Sequence, residues 1–197
     1  MSDFLNNFVP EKVSVITMPV GAYDVIVKQV KEVTDHDSNL SGAQKENYRF
    51  ADVHDQLAVT FIRMDNLPGI ITHRFNTRGW VRFDEMSAKQ QKSYTKDEVK
   101  GYAISKKTGM RVEDPARTVQ CSNILNQFLN KLSKNGTAII DDLIATGHLD
   151  IGMLVGTNCT ITVAEEVFDG KTRNKITKIN RLSAQPVLKP TDGQEEY

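Results

Sequence analysis

The sequence predicts a mainly β domain with a minor helical part, and three features predict it. Alternating, β-branched runs occur in both halves of the chain, Gly, Pro, Asn and Asp punctuate them, and one stretch of helical periodicity separates the first three runs from the last two. At 197 residues the chain is long enough for one domain with a large insertion and a sizeable core.

The first run, residues 20–33, alternates from Tyr23: Tyr23, Val25 and Val27 take one side, Asp24, Ile26 and Lys28 the other. A polar stretch from Thr34 to Asn47 follows and predicts a loop. Residues 56–64 and 70–76 predict the second and third strands. Between them Asp65-Asn-Leu-Pro-Gly is a turn, with Pro68 and Gly69 suited to its central positions, so the two strands should pair as a hairpin. Residues 84–117 read as an insertion, polar from Asp84 to Lys100 and then forming a small hairpin from Tyr102-Ala-Ile-Ser and Met110-Arg-Val. From Thr118 the period changes. Val119, Ile124, Leu125, Phe128, Leu129 and Leu132 share one face of a helix, with Gly136 just beyond its end. Residues 139–149 predict a short second helix closed by Gly147. Strands at 157–168 and 173–182 flank Asp169-Gly170, a strong hairpin signal.

Strand, strand, strand, helix, strand, strand is the order of an OB-fold, a five-stranded partly open barrel with a helix between strands 3 and 4. On this reading residues 1–17 are an N-terminal arm, 18–185 the OB-fold domain with its basic insertion at 84–117, and 186–197 a flexible acidic tail.

Composition and motifs exclude several classes. The 25 Lys and Arg balance 25 Asp and Glu, so the chain is not a histone-like polycation, and two Cys cannot supply a disulfide framework or a four-thiolate zinc site. No apolar run approaches the roughly 20 residues needed to cross a bilayer, and the N-terminus lacks the basic and apolar regions of a signal peptide. A protein of a reducing, cytoplasm-like compartment is expected. There is no phosphate-binding loop, no dinucleotide fingerprint and no nucleophile elbow. Cys121 and Cys159 read as packing residues. His36, His54, His73 and His148 lack ligand spacing, and nothing local supports zinc on His148, Cys121 and Cys159. Asp35, Asp37, Asn39 and Glu46 have the spacing of a calcium loop, but Leu40 stands where the sharp turn needs glycine. The pairs Asp84-Glu85, Asp97-Glu98, Glu113-Asp114, Asp141-Asp142 and Glu165-Glu166 read as surface charge, because neighbours on a strand face opposite ways. No catalytic residue, metal or cofactor is expected, and no enzyme.

The balanced total hides an uneven distribution. Residues 60–117 carry 12 basic and 7 acidic side chains, whereas residues 1–59 carry 5 and 9. Local charge decides whether a polyanion can dock. Within the basic third, His73-Arg-Phe-Asn-Thr-Arg-Gly-Trp-Val-Arg-Phe83 combines Arg74, Arg78 and Arg82 with Phe75, Phe83 and the single tryptophan, Trp80. Cations that neutralise phosphates beside rings that stack on unpaired bases are the two devices of single-strand binding. Phe75 and Phe83 are expected to fill the barrel. Trp80 is expected at the surface, since Gly79 before it suggests a bend. The insertion adds Tyr102, Lys106, Lys107 and Arg111, and the last hairpin adds Arg173 and Lys175 on one face with Lys178 on the other. The candidate DNA-binding set is therefore Arg74, Arg78, Trp80, Arg82, Tyr102, Lys106, Lys107, Arg111, Arg173 and Lys175, with Trp80 and Tyr102 as stacking platforms.

Several short motifs recur in a recognisable order: Gly21-Ala-Tyr-Asp-Val, Gln56-Leu-Ala-Val-Thr-Phe, Asn123-Ile-Leu-Asn-Gln-Phe-Leu, Leu154-Val-Gly-Thr-Asn-Cys-Thr-Ile-Thr-Val and Asp169-Gly-Lys-Thr-Arg-Asn-Lys-Ile-Thr-Lys-Ile-Asn-Arg. Together, over about residues 18–182, they resemble the OB-fold single-stranded-DNA-binding proteins of tailed bacteriophages. The resemblance implies sequence-tolerant coating and protection of unwound DNA during phage replication, recombination or repair, without a catalytic centre, in the cytoplasm of the infected host cell. The insertion at 84–117 departs from a minimal member. Many such proteins carry an acidic tail that recruits replication or recombination proteins, and Asp192, Glu195 and Glu196 would serve here. No membrane partner is expected, and a homo-oligomer is compatible with the sequence. Two rival functions are a virion structural or assembly protein using an OB-like barrel for protein contacts, and a metal-dependent nuclease using acidic clusters.

Overall fold

The computed structural model describes residues 17–34, 48–50, 53–132, 136–168 and 170–182. The strands are β1 (Gly21–Val33), β2 (Gln56–Arg63), β3 (Ile70–Asn76), β4 (Tyr94–Lys96), β5 (Ala103–Ser105), β6 (Asn158–Phe168) and β7 (Lys171–Asn180). The α-helices are α1 (Ala88–Gln91), α2 (Pro115–Leu129) and α3 (Gly136–Thr146), and single 3-10 turns lie at Phe83–Glu85 and Ile151–Leu154. The architecture is mainly β: a five-stranded antiparallel sheet in the order β3-β2-β1-β6-β7, with β4 and β5 as a separate pair.

Period-two alternation builds the sheet. Val25 and Val27 of β1, Leu57, Val59 and Phe61 of β2, Ile71 and Phe75 of β3, and Cys159, Ile161 and Val163 of β6 all point into one core. The long β1 pairs with β6 through its first half and with β2 through its second, and an irregularity between Val27 and Gln29 re-aims the strand so that Val30 again faces inward. The hairpin β2–β3 pairs Gln56 with Asn76 through to Ile62 with Ile70, as the short turn requires. Gly170 takes φ 70° in the β6–β7 turn, a conformation that costs glycine nothing.

Among the described residues no ladder joins β3 to β7, so the sheet is open along that seam. One end of the seam is filled by the chain itself. Thr17 bridges to Ile70, and the Asn174 side chain donates to the Met18 carbonyl at 2.7 Å. Farther along, α2 lies across the opening. Phe128 stacks on Phe75 at 4.5 Å and meets Phe61 edge-on at 6.2 Å, with Leu125, Leu129 and Leu132 buried around it. Val119 and Ile124, expected on this apolar face, are instead exposed, because the buried stripe is narrower than the full set of apolar positions.

Three other expectations need correction. Helix α2 begins at Pro115, inside the expected insertion: Asp114 caps it by accepting from the Ala116 and Arg117 amides, and Pro115 occupies the first turn where it loses no hydrogen bond. Gly136 opens α3 rather than closing the preceding helix. The excursion between β3 and α2 is also more ordered than a polar loop. Ser87 and Gln90 form a reciprocal cap on α1, β4 pairs with β5, and the expected small hairpin is reduced to a bridge between Ile104 and Arg111. Residues 1–16, the calcium-like positions 35–46 and the tail from 183 onward, with Asp192, Glu195 and Glu196, lie outside the described residues. Among the described residues no helix is long and apolar enough to cross a membrane.

Candidate functional site

The chain just beyond β3 packs against the first turn of α2, and one glycine permits it. A Cβ on Gly79 would sit 2.2 Å from Cβ of Arg117 and 2.6 Å from the Thr118 backbone nitrogen. The Gly79 amide donates to the Thr118 hydroxyl at 2.9 Å, and the Gly79 carbonyl accepts from the Asp114 amide at 2.8 Å. Gly79 is thus a close-approach glycine, not the bend expected to expose Trp80. The contact swings Trp80 inward, where it is 8% exposed and its indole N–H donates to Asp55 Oδ2 at 2.8 Å. The expectation of a bare tryptophan platform is corrected.

Arg111 departs from expectation in the same way. Its side chain is 1% exposed and cannot reach a phosphate outside. Nε and Nη2 donate to Asp97 Oδ2 at 3.0 and 2.8 Å, Nη2 also donates to the Tyr48 hydroxyl at 2.6 Å, and Nη1 reaches Asp55 Oδ2 at 3.4 Å. The guanidinium also lies over the rings of Phe50 at 4.7 Å and Tyr102 at 4.9 Å. Asp97, read as half of a surface charge pair, is therefore buried. Burial alone would raise its carboxyl, but the Tyr48 hydroxyl, the Val99 amide and Arg111 outweigh that and hold it below its ordinary value. Burial, followed by the bond to Asp97, drives the Tyr48 phenol upward and keeps it a hydrogen-bond donor. This cluster fastens the excursion onto the start of β2.

The remaining predicted residues stay outside. Arg74 is exposed on the outward side of β3 and donates weakly to Gln56 Oε1 at 3.4 Å, and Gln56 in turn donates to Asn76 Oδ1 at 2.8 Å. Beyond Asn76 lies a cavity of about 310 Å³ whose walls include Asn76, Arg78, Arg82, Tyr102, Arg117 and Cys121. Arg78 is exposed. Arg82 is held over the Tyr102 ring at 5.0 Å while donating to the Lys100 carbonyl at 3.0 Å. Tyr102 is half-buried and carries a guanidinium from Arg82 as well as one from Arg111, so it is a backed ring rather than a bare one. Lys106 and Lys107 are exposed at the far tip of the excursion, Lys106 donating to the Lys92 carbonyl at 2.8 Å.

Neither a family model nor a curated protein matches this chain.

Arg173 and Lys175 lie apart from this cavity, on β7. Both are paired with Glu166, whose carboxyl they hold below the usual range, at 2.8 and 2.6 Å. An irregularity opposite Thr162 and Val163 inserts Thr177, so Lys178 is exposed together with Arg173 and Lys175 instead of on the opposite side. A second cavity, about 270 Å³, occupies the seam between β3, β7 and α2, with Phe75, Phe128 and Ile176 as its floor and Lys131 and Lys178 at its rim. His73 borders it, and burial, then the charge of Lys175, keeps its imidazole below the ordinary value. Among the described residues no three His, Cys, Asp or Glu side chains gather closely enough to hold a metal ion. Cys159 is fully buried and its thiol is pushed up to about 12 by burial, then by Asp24, whereas Cys121 is half-buried beside the first cavity.

Sequence reasoning missed Arg117, Asn76 and Gln120 in the first cavity, and Asp55, Asp97 and Tyr48 beneath it. Only Arg117 left a trace: it stands in the first turn after the Asp114-Pro115 start signal. Arg117 is tied to Glu85 and Asp114 and donates to the Trp80 carbonyl at 3.3 Å, so its first duty is to hold the cavity wall.

Proposed function

We propose that this chain binds single-stranded nucleic acid without regard to base sequence, on an OB-type barrel, and coats unwound DNA during phage replication, recombination or repair. The strand order β3-β2-β1-β6-β7, with helices between the third and fourth strands of the sheet, is compatible with that barrel. The observation that carries the function is a group of exposed arginines, Arg74, Arg78 and Arg82, on and beyond the end of β3. Arg74 on the outward side of β3 leads through Gln56 and Asn76 to the cavity walled by Arg78, Arg82 and Tyr102. Exposed cations beside a base-sized cavity suit a flexible polyanion with exposed bases better than a rigid duplex, whose bases are already stacked.

Arg74, Arg78, Arg82, Lys106 and Lys107 are the cations available to phosphates; Trp80 and Arg111 act from beneath, as supports. The test is a titration of dye-labelled oligo-dT at several salt concentrations, read by anisotropy. If all five cations engage, the plot of log affinity against log salt has a slope of roughly −3.5, at about −0.7 per phosphate contact for single strands. Replacing Arg74 and Arg78 with Gln should flatten it by roughly 1.4 while leaving thermal unfolding unchanged. No binding at low salt, or a slope unmoved by the double replacement, would end this proposal.

A further inference from the structure

We infer that the cavity between the end of β3, the excursion and α2 is a seat for one nucleobase of the bound strand, stacked on the Arg82 guanidinium and met at its edge by the Asn76 and Gln120 amides. This deepens the proposed single-strand binding and rests on it. At about 310 Å³ the cavity lies at the small end of ligand clefts, which span roughly 300–1,000 Å³. It suits one ring system and its sugar, not a stacked pair. The stacking surface is Arg82 rather than Tyr102. Tyr102 already carries the Arg82 guanidinium at 5.0 Å, and the Lys100 carbonyl fixes that guanidinium from the side. A planar cation so held can take a base on its free face and loses little freedom in doing so.

Edge recognition is present but undemanding. Asn76 Oδ1 accepts from Gln56, which turns the Asn76 amide nitrogen into the group left to donate. Gln120, exposed on α2, presents both a donor and an acceptor to the same space. An amide that can turn over satisfies any of the four bases, in keeping with sequence tolerance. Arg78, exposed at the mouth, is placed for the phosphate of the seated nucleotide.

Cys121 supplies a built-in reporter. It is one of two cysteines in the chain and lines this cavity, while Cys159 is sealed in the core with its thiol pushed up to about 12. The experiment uses the full-length protein and two oligonucleotides of equal length, oligo-dT and an abasic strand with the same phosphates. Each is brought to saturation as judged by anisotropy, and N-ethylmaleimide labelling of Cys121 is followed by intact mass. Oligo-dT should slow labelling several-fold and the abasic strand should leave it unchanged, with oligo-dT binding roughly tenfold tighter or more, as one stacked base contributes. Arg82→Lys, which keeps the charge and removes the plane, should abolish both differences without altering the salt slope. Equal protection by the two strands, or no protection by a saturating oligo-dT, overturns the seat while leaving single-strand binding standing. Failure of both strands to bind at low salt overturns the function and the seat together.

Discussion

Replacing Arg111 with Met removes a guanidinium in contact with both Asp55 and Asp97, while keeping much of the side chain's length and apolar volume. The two carboxylates are 2% and 1% exposed and would lose that cation, while Asp97 keeps the Tyr48 hydroxyl and the Val99 amide and Asp55 keeps the Trp80 indole. Breaking a buried pair by removing one partner costs about 3–5 kcal/mol, a large share of the roughly 5–15 kcal/mol that stabilises a typical domain. The cost should depend on pH in a diagnostic way. In the parent protein Asp97 is held below its ordinary value, so its stabilisation is present above about pH 4, the unfolded carboxylate value, and is lost as pH falls through the lower folded value. In Arg111→Met, burial loses its strongest cationic opponent and the folded carboxyl value rises, so acidification relieves the strain. Urea unfolding, followed by the emission of Trp80 and by far-ultraviolet dichroism, should show the largest deficit near pH 7 and a shrinking deficit toward pH 5. A loss below about 1 kcal/mol at neutral pH, under the floor for a broken buried pair, would refute the reasoning, as would a deficit that grows on acidification.

Gly79→Ala should destabilise by about 1–3 kcal/mol, the usual cost of forcing a side chain into a closed contact, because the nearest atoms belong to the first turn of α2; thermal unfolding checks this, and an unchanged midpoint would mean that β3 and α2 are not in contact. Phe128→Ala should cost about 3–5 kcal/mol, since its ring fills the space between Phe75 and Phe61; a urea curve within 1 kcal/mol of the parent would contradict that packing. Titration with a disulfide reagent should find one slow thiol in the native protein and two after denaturation, because only Cys121 has any access to solvent.

The parts of the fold that show in the sequence are those with one-sided burial. β1, β2, β3 and β6 alternate because one face meets the core and the other meets water or solvated side chains, and period two is the direct imprint of that asymmetry. Features that depend on distant partners left no such imprint. Arg111 looks like any loop arginine until Asp55, 56 positions earlier, is known to lie beneath it. Gly79 signals that a side chain is unwelcome, but not whether the reason is a turn or a neighbouring helix, and choosing the turn put Trp80 on the wrong side of the surface. Lys178 was assigned the wrong face because alternation holds only until a bulge adds a residue. Arg74, Arg78 and Arg82 kept their expected exposure, since charged side chains without a buried counterion have nowhere else to go.

The cluster around Arg111 limits how this protein could be shortened. Excising residues 84–114 to obtain a minimal barrel would remove Asp97, Tyr102 and Arg111 but leave Asp55 and Trp80 behind, a carboxylate and a large ring stranded at the mouth of β2. A viable truncation would have to rewrite those two positions as well, for instance with Leu in place of Asp55. The appendage and the barrel it decorates are therefore bound to change together, and a chain that inherits one without the other begins life with a hole at its rim.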